Sequence, residues 1–195
     1  MSKLYEEYFK SFNPESAEAM GWMDGELARD KRFKTLLDIG VESGDHILDL
    51  GCGSAQLLNY IAENTKLNVT YTGIDTAKAP IEYAKNRYPQ HSFIHGDIRD
   101  HDIKCDWVLV SGTFNLDIPR EDTFAILTKA GKLATKGVAS NFLHADIQDG
   151  DPAVYRYYRP KDVISYIDGN ITVLEHNKCG LMREFVIYWR SNELE

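Results

Sequence analysis

Short apolar runs alternate with stretches of helical spacing over most of the chain. Strand character is concentrated in five runs, which cover residues 46–50, 69–75, 92–98, 105–110 and 136–143. Between them, apolar residues recur every three or four positions, most clearly over residues 56–62, 77–88 and 121–130. Gly131 is placed to end the last of these helices. Strands that alternate with helices in this way predict a parallel sheet with crossover helices.

The two ends of the chain differ from this central pattern. Residues 4–12 and 26–39 have helical spacing, Asn13-Pro14 is typical of the start of another short helix, and residues 21–25 form a glycine-bounded break. Near the other end, a helix is predicted over residues 161–167. Two strands follow, over residues 171–176 and 183–190, and they predict a closing antiparallel hairpin.

The stretch over residues 46–62 passes from a strand through Gly51 and Gly53 into a helix. Such a turn leaves backbone N–H groups and the positive end of a helix dipole available to a carboxylate or a phosphate. Glycines also let a ligand approach the main chain closely. A dinucleotide site would need a third glycine, but Gln56 stands at that position, so the fingerprint fails.

The run Leu48-Asp49-Leu50-Gly51-Cys52-Gly53-Ser54-Ala55 instead resembles the first motif of the class I S-adenosylmethionine (SAM)-dependent methyltransferases. The family has a glycine where this chain has Ala55, a mild replacement unless the position needs a positive φ. The resemblance implies cofactor contacts from Asp49, Gly51, Cys52, Gly53 and Ala55. It also implies a Rossmann-like, doubly wound α/β fold. Seven mostly parallel strands are expected, with an antiparallel last strand beside strand five and helices on both faces.

Acidic residues end the second and third predicted strands. Asp75, followed by Thr76, suits the two ribose hydroxyls, because a carboxylate accepts two hydrogen bonds; a helix N-cap is the alternative. By the resemblance, Asp97 accepts from the adenine amine and Ile98 covers the ring. A plain surface turn is the competing interpretation there.

In an open α/β sheet ligands bind at the carboxyl ends of the strands, so residues 111–115, at the exit of the fourth predicted strand, are expected to face the methyl group and the acceptor. Ser111 and Gly112 are therefore expected at the cofactor site. The run Ser111-Gly112-Thr113-Phe114 lacks the two prolines of methyltransferases that act on amino groups of DNA bases or of glutamine. It resembles loops of poorly characterised bacterial and phage methyltransferases, which does not identify a substrate.

Residues 1–45 are predicted to form a helical lid segment, and residues 46–195 the SAM-binding methyltransferase domain of a single globular unit. Family members commonly fold such a segment over the cofactor. The lid candidates are Tyr5, Tyr8, Trp22, Arg29 and Arg32. Aromatic faces attract a sulfonium, and an arginine can fork onto a carboxylate, so Trp22 and Arg32 are assigned to the cofactor. Packing or solvated positions are the alternative for each.

Candidates for a general base are His144, Asp146 and Tyr155. The acidic loop with Asp146, Asp149 and Asp151 has no fixed ligand spacing, so a solvated loop is favoured and no metal is expected. The stretch over residues 154–160 mixes aromatics with two arginines, and either an acceptor contact or a packed connector fits it.

Composition narrows the classes of partner. The chain has 195 residues, a net charge of −8 and three widely spaced cysteines. The charge disfavours a nucleic-acid partner, and the cysteines fit reduced thiols in the cytoplasm. No signal peptide or membrane anchor is indicated. The oligomeric state is not indicated either.

The sequence therefore predicts a SAM-dependent methyltransferase that moves a methyl group to a small or medium acceptor by in-line displacement, with S-adenosylhomocysteine (SAH) as product. A SAM- or nucleotide-binding protein without transferase activity, such as a sensor or partner subunit, is the alternative. A nicotinamide-dependent oxidoreductase is a third hypothesis.

Overall fold

The computed structural model of the chain describes residues 2–21, 24–116, 118–148, 150, 154–167, 169–174 and 180–190, with residues 2–5 described by their backbone alone. The helices are α1 (Ser2–Ser11), α2 (Gly25–Leu37), α3 (Gln56–Asn64), α4 (Lys78–Arg87), α5 (Arg120–Leu133) and α6 (Pro160–Ile164). The strands are β1 (His46–Leu50), β2 (Thr70–Asp75), β3 (Ser92–His95), β4 (Cys105–Val110), β5 (Ala134–His144), β6 (Tyr157–Tyr158), β7 (Asn170–Leu174) and β8 (Glu184–Arg190).

One sheet runs through the molecule in the order β3-β2-β1-β4-β5-β8-β7. The pairs from β3 to β5 are parallel, whereas β8 is antiparallel to both β5 and β7. The last strand therefore lies between β5 and β7, which confirms the expected α/β class and its closing hairpin. The described part of the sheet has eight strands and not seven, because the two-residue β6 pairs with the end of β5.

Helices cover both faces of the sheet, and each face has its own apolar core. The strand period of two decides which side chain joins which core. In β1, Leu48 and Leu50 pack with α5 residues such as Leu127, while Ile47 faces the opposite core with Leu36 of α2. The central strands are thus apolar on both sides, as expected for a parallel sheet with helices on both faces.

The N-terminal residues pack against the rest of the molecule through α1 and a connecting segment, residues 13–21, here named the strap. The ring of Phe9 in α1 meets that of Tyr83 in α4 edge-on, with 5.7 Å between centroids. At Asn13-Pro14 the strap forms a side-chain-closed turn, in which Asn13 Oδ1 accepts from the Glu15 N–H at 3.1 Å. The predicted short helix is reduced to a single 3₁₀ turn at Glu18–Met20.

The prediction that Gly131 ends α5 is wrong, because the helix continues to Leu133. A Cβ atom on Gly131 would lie 2.0 Å from the ring of Trp189 in β8. The glycine is therefore required by close helix–sheet packing and not by a helix end. Its packing partner lies far along the chain, so local sequence gave no sign of it.

No helix in the described ranges combines the length and the apolar character that crossing a membrane requires. Two of the three cysteines, Cys52 and Cys105, are buried free thiols, and Cys179 lies outside the described residues.

Ala55 stands immediately before α3 in the left-handed region, with φ 65° and ψ 39°. It is the only non-glycine residue with a positive φ in the described part of the chain. The position does need a positive φ, so alanine here is a strained replacement for the family's glycine. Left-handed backbone costs a residue with a Cβ about 1–2 kcal/mol.

We expect Ala55→Gly to change the free energy of unfolding by less than about 0.5 kcal/mol. Relief of the strain offsets the loss of a buried methyl group, about 0.8 kcal/mol, and the added freedom of the unfolded chain. The matched control is Ala84→Gly, equally buried but inside α4, which should destabilise by about 2 kcal/mol. Chemical denaturation of both variants measures this difference, and equal losses would contradict the strain at Ala55.

Candidate active site

The turn after β1 is closed by hydrogen bonds to the neighbouring strand. The N–H groups of Gly51 and Cys52 donate to the carbonyl oxygen of Ile74 at 2.8 and 3.2 Å. The Gly53 N–H donates to Asp75 Oδ2 at 2.9 Å. Three N–H groups of the turn are thus hydrogen-bonded within the fold. The positive end of the α3 dipole lies at the edge of this turn.

The carboxyl ends of β1, β2 and β3 border one cavity of about 190 Å³, named here the first cavity. Eight residues singled out from the sequence line it: Asp49, Gly51, Cys52, Asp75, Thr76, Asp97, Ile98 and Ser111. Gly53 and Ala55 lie in the turn beneath it but are not part of its lining. Trp22 lies outside the described residues.

Asp75 holds the turn and the next helix together. Its Oδ2 accepts from the Gly53 N–H, and its Oδ1 accepts from the Ala77 N–H at 2.7 Å. Burial raises the pKa of this carboxyl, although the N–H donors partly oppose the rise. This bond closes a turn before α4 and is not a helix cap, because Ala77 is the N-cap residue and no described side chain caps the helix. The two oxygens keep further lone pairs for a ligand.

Asp97 follows β3 and is bound to a cation. Arg99 Nη2 lies 2.7 Å from Asp97 Oδ2, and Arg99 Nη1 lies 2.7 Å from Asp122 Oδ1 of α5. The hydrogen bonds from Arg99 hold the pKa of Asp97 below its usual range. Ile98 beside it is buried and lines the cavity.

Asp49 is fully enclosed at the back of the same cavity. The Tyr71 hydroxyl donates to Asp49 Oδ2. Burial raises the pKa of Asp49 to about 7, against the opposing effect of the Tyr71 hydrogen bond, and burial likewise raises the pKa of the Cys52 thiol. The carboxyl is therefore poised between its neutral and ionised forms near neutral pH.

The loop after β4 forms the wall beyond the glycine turn. Thr113 Oγ1 donates to the Leu50 carbonyl oxygen at 2.9 Å, and a Cβ on Gly51 would lie 2.0 Å from Thr113 Oγ1. The Gly112 N–H donates to Asn141 Oδ1 at 2.8 Å. Ser111 Oγ is buried on the first cavity and has no hydrogen-bond partner among the described residues.

A second cavity of about 110 Å³ lies on the other side of this loop. Gly112, Arg32 and Tyr155 line it, and so do Asn115 and Tyr157 from the two stretches expected near the acceptor. Its lining also has residues that the sequence did not single out: Asp24, Arg183 and Glu184. The first and second cavities thus lie on either side of the residues 111–113.

Arg32 lies at the second cavity and not at the first. Its Nε donates to Glu184 Oε1 at 2.6 Å, and its Nη2 donates to Asp24 Oδ2 at 3.0 Å. Glu184 also accepts from the Asn141 amide, and Asp24 also pairs with Arg183. The network ties α2 to β5 and β8 across 152 positions of sequence, a separation that local patterns do not reveal.

The three candidate bases occupy different places. His144 Nδ1 accepts from the Asp146 N–H at 3.1 Å, and neither residue lines the two cavities. Tyr155 does line the second cavity, and burial is the main reason that the pKa of its hydroxyl is raised. Tyr155 is thus a hydrogen-bond donor at neutral pH. Asp149 and Asp151 lie outside the described residues, and the remaining ranges hold no group of three potential metal ligands.

Two other lid candidates, Arg29 and Tyr8, lie near the N-terminal end of the chain. Arg29 Nη1 donates to the Glu15 carbonyl oxygen of the strap at 3.3 Å, and the ring of Tyr8 lies tilted beside that of Phe12, with 6.2 Å between centroids. The side chain of Tyr5 lies outside the described residues. Met20 of the strap, which the sequence did not single out, lines the first cavity.

Comparisons with known proteins agree with this architecture. Residues 47–137 match the model of a family described as a methyltransferase domain. A protein of Invertebrate iridescent virus 6 named "Putative methyltransferase 235L" is 33% identical over 84 residues. This alignment covers 43% of the chain and 31% of the viral protein, so the chain spans about a third of that relative.

Among the solved structures that are similar over 98% of both chains are two methyltransferases. One is the N-methyltransferase NodS of Bradyrhizobium japonicum in complex with SAH, with a TM-score of 0.70 and 13% identity. The other is a TehB-like SAM-dependent methyltransferase of Corynebacterium glutamicum, with a TM-score of 0.68 and 16% identity. These similarities show the fold. Residues 47–137 therefore resemble a methyltransferase domain, and the chain has the fold of the class I SAM-dependent methyltransferases.

Proposed function

We propose that this chain is a SAM-dependent methyltransferase that acts on a small acceptor. One observation carries the proposal: Gly51, Asp75 and Asp97, which leave three neighbouring strands, line a single cavity. One adenosyl group can contact all three only if they share such a space. The match to a methyltransferase domain over the same residues supports the assignment.

The charge of the first cavity favours SAM over a nicotinamide dinucleotide. Among the described residues that line it are four aspartates, Asp49, Asp75, Asp97 and Asp122, and one cation, Arg99, which pairs with the last two. An acidic lining attracts a sulfonium and an ammonium and repels a pyrophosphate. The acidic cavity and Gln56 at the third glycine position together argue against the oxidoreductase hypothesis.

The residues of the site fit the parts of SAM. In this proposal Asp75 accepts from the ribose hydroxyls with its remaining lone pairs, and Asp97 accepts from the adenine amine while still bound to Arg99. Ile98 covers the ring. Ser111 Oγ, buried on the cavity without a partner in the described ranges, supplies a donor at the amino-acid end. The remaining cofactor contacts are assigned to Asp49, Gly51, Cys52, Gly53, Ala55, Thr76 and Gly112.

SAM supplies an electrophilic methyl group on a positively charged sulfur. The loop of residues 111–113 separates the two cavities and would hold the acceptor beyond it, in the second cavity. Tyr155 orients the acceptor there as a hydrogen-bond donor. The carboxylates Asp24 and Glu184 are occupied by Arg32 and Arg183, so an acceptor with a free lone pair at neutral pH fits best. Of residues 1–45, the strap serves as the lid in this proposal, since Leu36 of α2 packs in the core against the sheet.

A binding protein without transferase activity is the second hypothesis. A second cavity next to the first is needed for transfer but not for binding alone, so its presence favours the enzyme. The two hypotheses differ in one product, SAH formed from SAM.

The proposed function predicts that the purified chain binds SAM and SAH but not NAD⁺ in calorimetry. With SAM and the small-molecule fraction of a cell extract, it should release SAH faster than the same mixture without protein. Binding without any acceptor-dependent SAH would favour the sensor hypothesis. Binding of NAD⁺ in place of SAM would contradict the proposal.

Asp75→Ala should weaken SAM binding by about 1–3 kcal/mol, because the ribose hydroxyls lose a charged acceptor. The control is Asp100→Ala, which removes an exposed aspartate outside the cavity and should leave the dissociation constant unchanged. Calorimetry gives both values, and thermal unfolding reports the loss of the Gly53 and Ala77 hydrogen bonds separately. Unchanged affinity in Asp75→Ala would show that the ribose lies elsewhere.

Asp49 makes stability depend on pH. In the folded chain this carboxyl keeps its proton up to a pKa of about 7, whereas the unfolded chain loses it near 3.8. The folded state therefore binds more protons between these values, so its stability falls as pH rises through the window. Asp49→Asn should become more stable relative to the wild type between pH 4 and pH 7. Urea unfolding at several pH values measures this difference, with Asp100→Asn as control, and a flat difference would refute it.

A further inference from the structure

Met20 connects the two cavities. Among the described residues, it is the only one that lines both the first and the second cavity. It belongs to the 3₁₀ turn of the strap, directly before Gly21. Any group that extends from the first cavity towards the second must pass this side chain and the loop of residues 111–113.

The tip of Met20 lies on the bare backbone of the glycine turn. A Cβ on Gly53 would stand 1.8 Å from Met20 Cε and 2.7 Å from Met20 Sδ. The close approach that Gly53 permits is therefore used by the thioether side chain. Methionine is unbranched and has three rotatable bonds, so it can change its path without a change in backbone.

The strap holds Met20 at this place through hydrogen bonds to the glycine turn and α3. Ser54 Oγ donates to the Pro14 carbonyl oxygen at 2.9 Å, and Gln56 Nε2 donates to the Ser16 carbonyl oxygen at 2.7 Å. The Met20 N–H itself donates to the Ala17 carbonyl oxygen at 3.1 Å. The backbone of Met20 is thus tied to the cofactor turn.

The opposite wall of the passage is fixed. Thr113 is bound to the Leu50 carbonyl oxygen, and the Gly112 N–H is bound to the fully buried Asn141. Met20 is partly exposed and has an adaptable side chain. The width of the passage is therefore set by the Met20 side chain.

We propose that Met20 is a specificity-determining residue that limits the size of the group carried on the sulfur of the cofactor. The inference rests on the proposed function, because it takes the sulfur of SAM to lie at the junction of the two cavities. A methyl group fits beside the thioether, whereas a longer alkyl group meets it. Removing the side chain beyond Cβ widens the passage between the cavities and admits the longer group.

The experiment compares SAM with its S-propyl analogue, in which a propyl group replaces the methyl group on sulfur. The wild-type chain should bind SAM about tenfold more tightly than the analogue, since overpacking by two methylenes is costly. Met20→Ala should bring the two dissociation constants to within about threefold of each other. Met20→Leu, of similar volume, should keep the wild-type ratio. Met182→Ala, at an exposed methionine outside both cavities, is the matched control.

The ratio of the two dissociation constants decides the question, because a merely structural role would weaken both ligands alike. A ratio that stays unchanged in Met20→Ala, whether affinity is kept or lost equally for both ligands, overturns the inference. A wild-type chain that binds neither SAM nor SAH overturns the proposed function instead. Thermal unfolding of each variant shows that it is folded under the conditions of the titration.

Discussion

The parallel pairing of β1 with β2 is the interaction on which the site depends. Residue Asp49 pairs with Gly73, and Leu50 with Ile74, so both strands end at the same edge of the sheet. The carbonyl oxygen of Ile74 then closes the glycine turn by accepting two N–H groups. Because β3 continues the same register, its terminal acid reaches that edge as well. Strand pairing therefore gathers Asp49, Asp75 and Asp97 at one edge, whereas Asp122 of α5 is held there by Arg99.

The local sequence was sufficient to predict those features of the fold and the site that depend only on neighbouring residues. Strand alternation, the start of α3 and the acids at the strand ends follow from periods of two and 3.6 and from short spacings. The features that were not predicted depend on distant partners. Gly131 is needed by Trp189, Arg32 is held by Glu184, and the two-residue β6 forms only beside the end of β5. Patterns within one segment carry no information about such contacts.

Gln56 departs from the dinucleotide-binding motif, and in this chain it has a structural role of its own. A dinucleotide site would have glycine there, for close packing of helix and strand. In this chain the amide of Gln56 donates to the strap at Ser16, and Ser54 does so at Pro14. The same turn that borders the first cavity therefore holds the N-terminal segment in place. The glycine turn and the strap are consequently joined into one structural unit.

The chemistry of the second cavity follows from its ion pairs. Its carboxylates are bound to arginines, and its tyrosine, Tyr155, keeps its proton at neutral pH because burial raises its pKa. Proton removal by these groups is thus a poor source of rate enhancement. Holding two reactants in attack geometry can contribute up to about 7–11 kcal/mol without any proton transfer. A rigid loop between two cavities, fixed by Asn141 and Leu50, is suited to that task. Under the proposed function, the reaction is therefore accelerated by positioning, with the acceptor supplying its own nucleophilic lone pair.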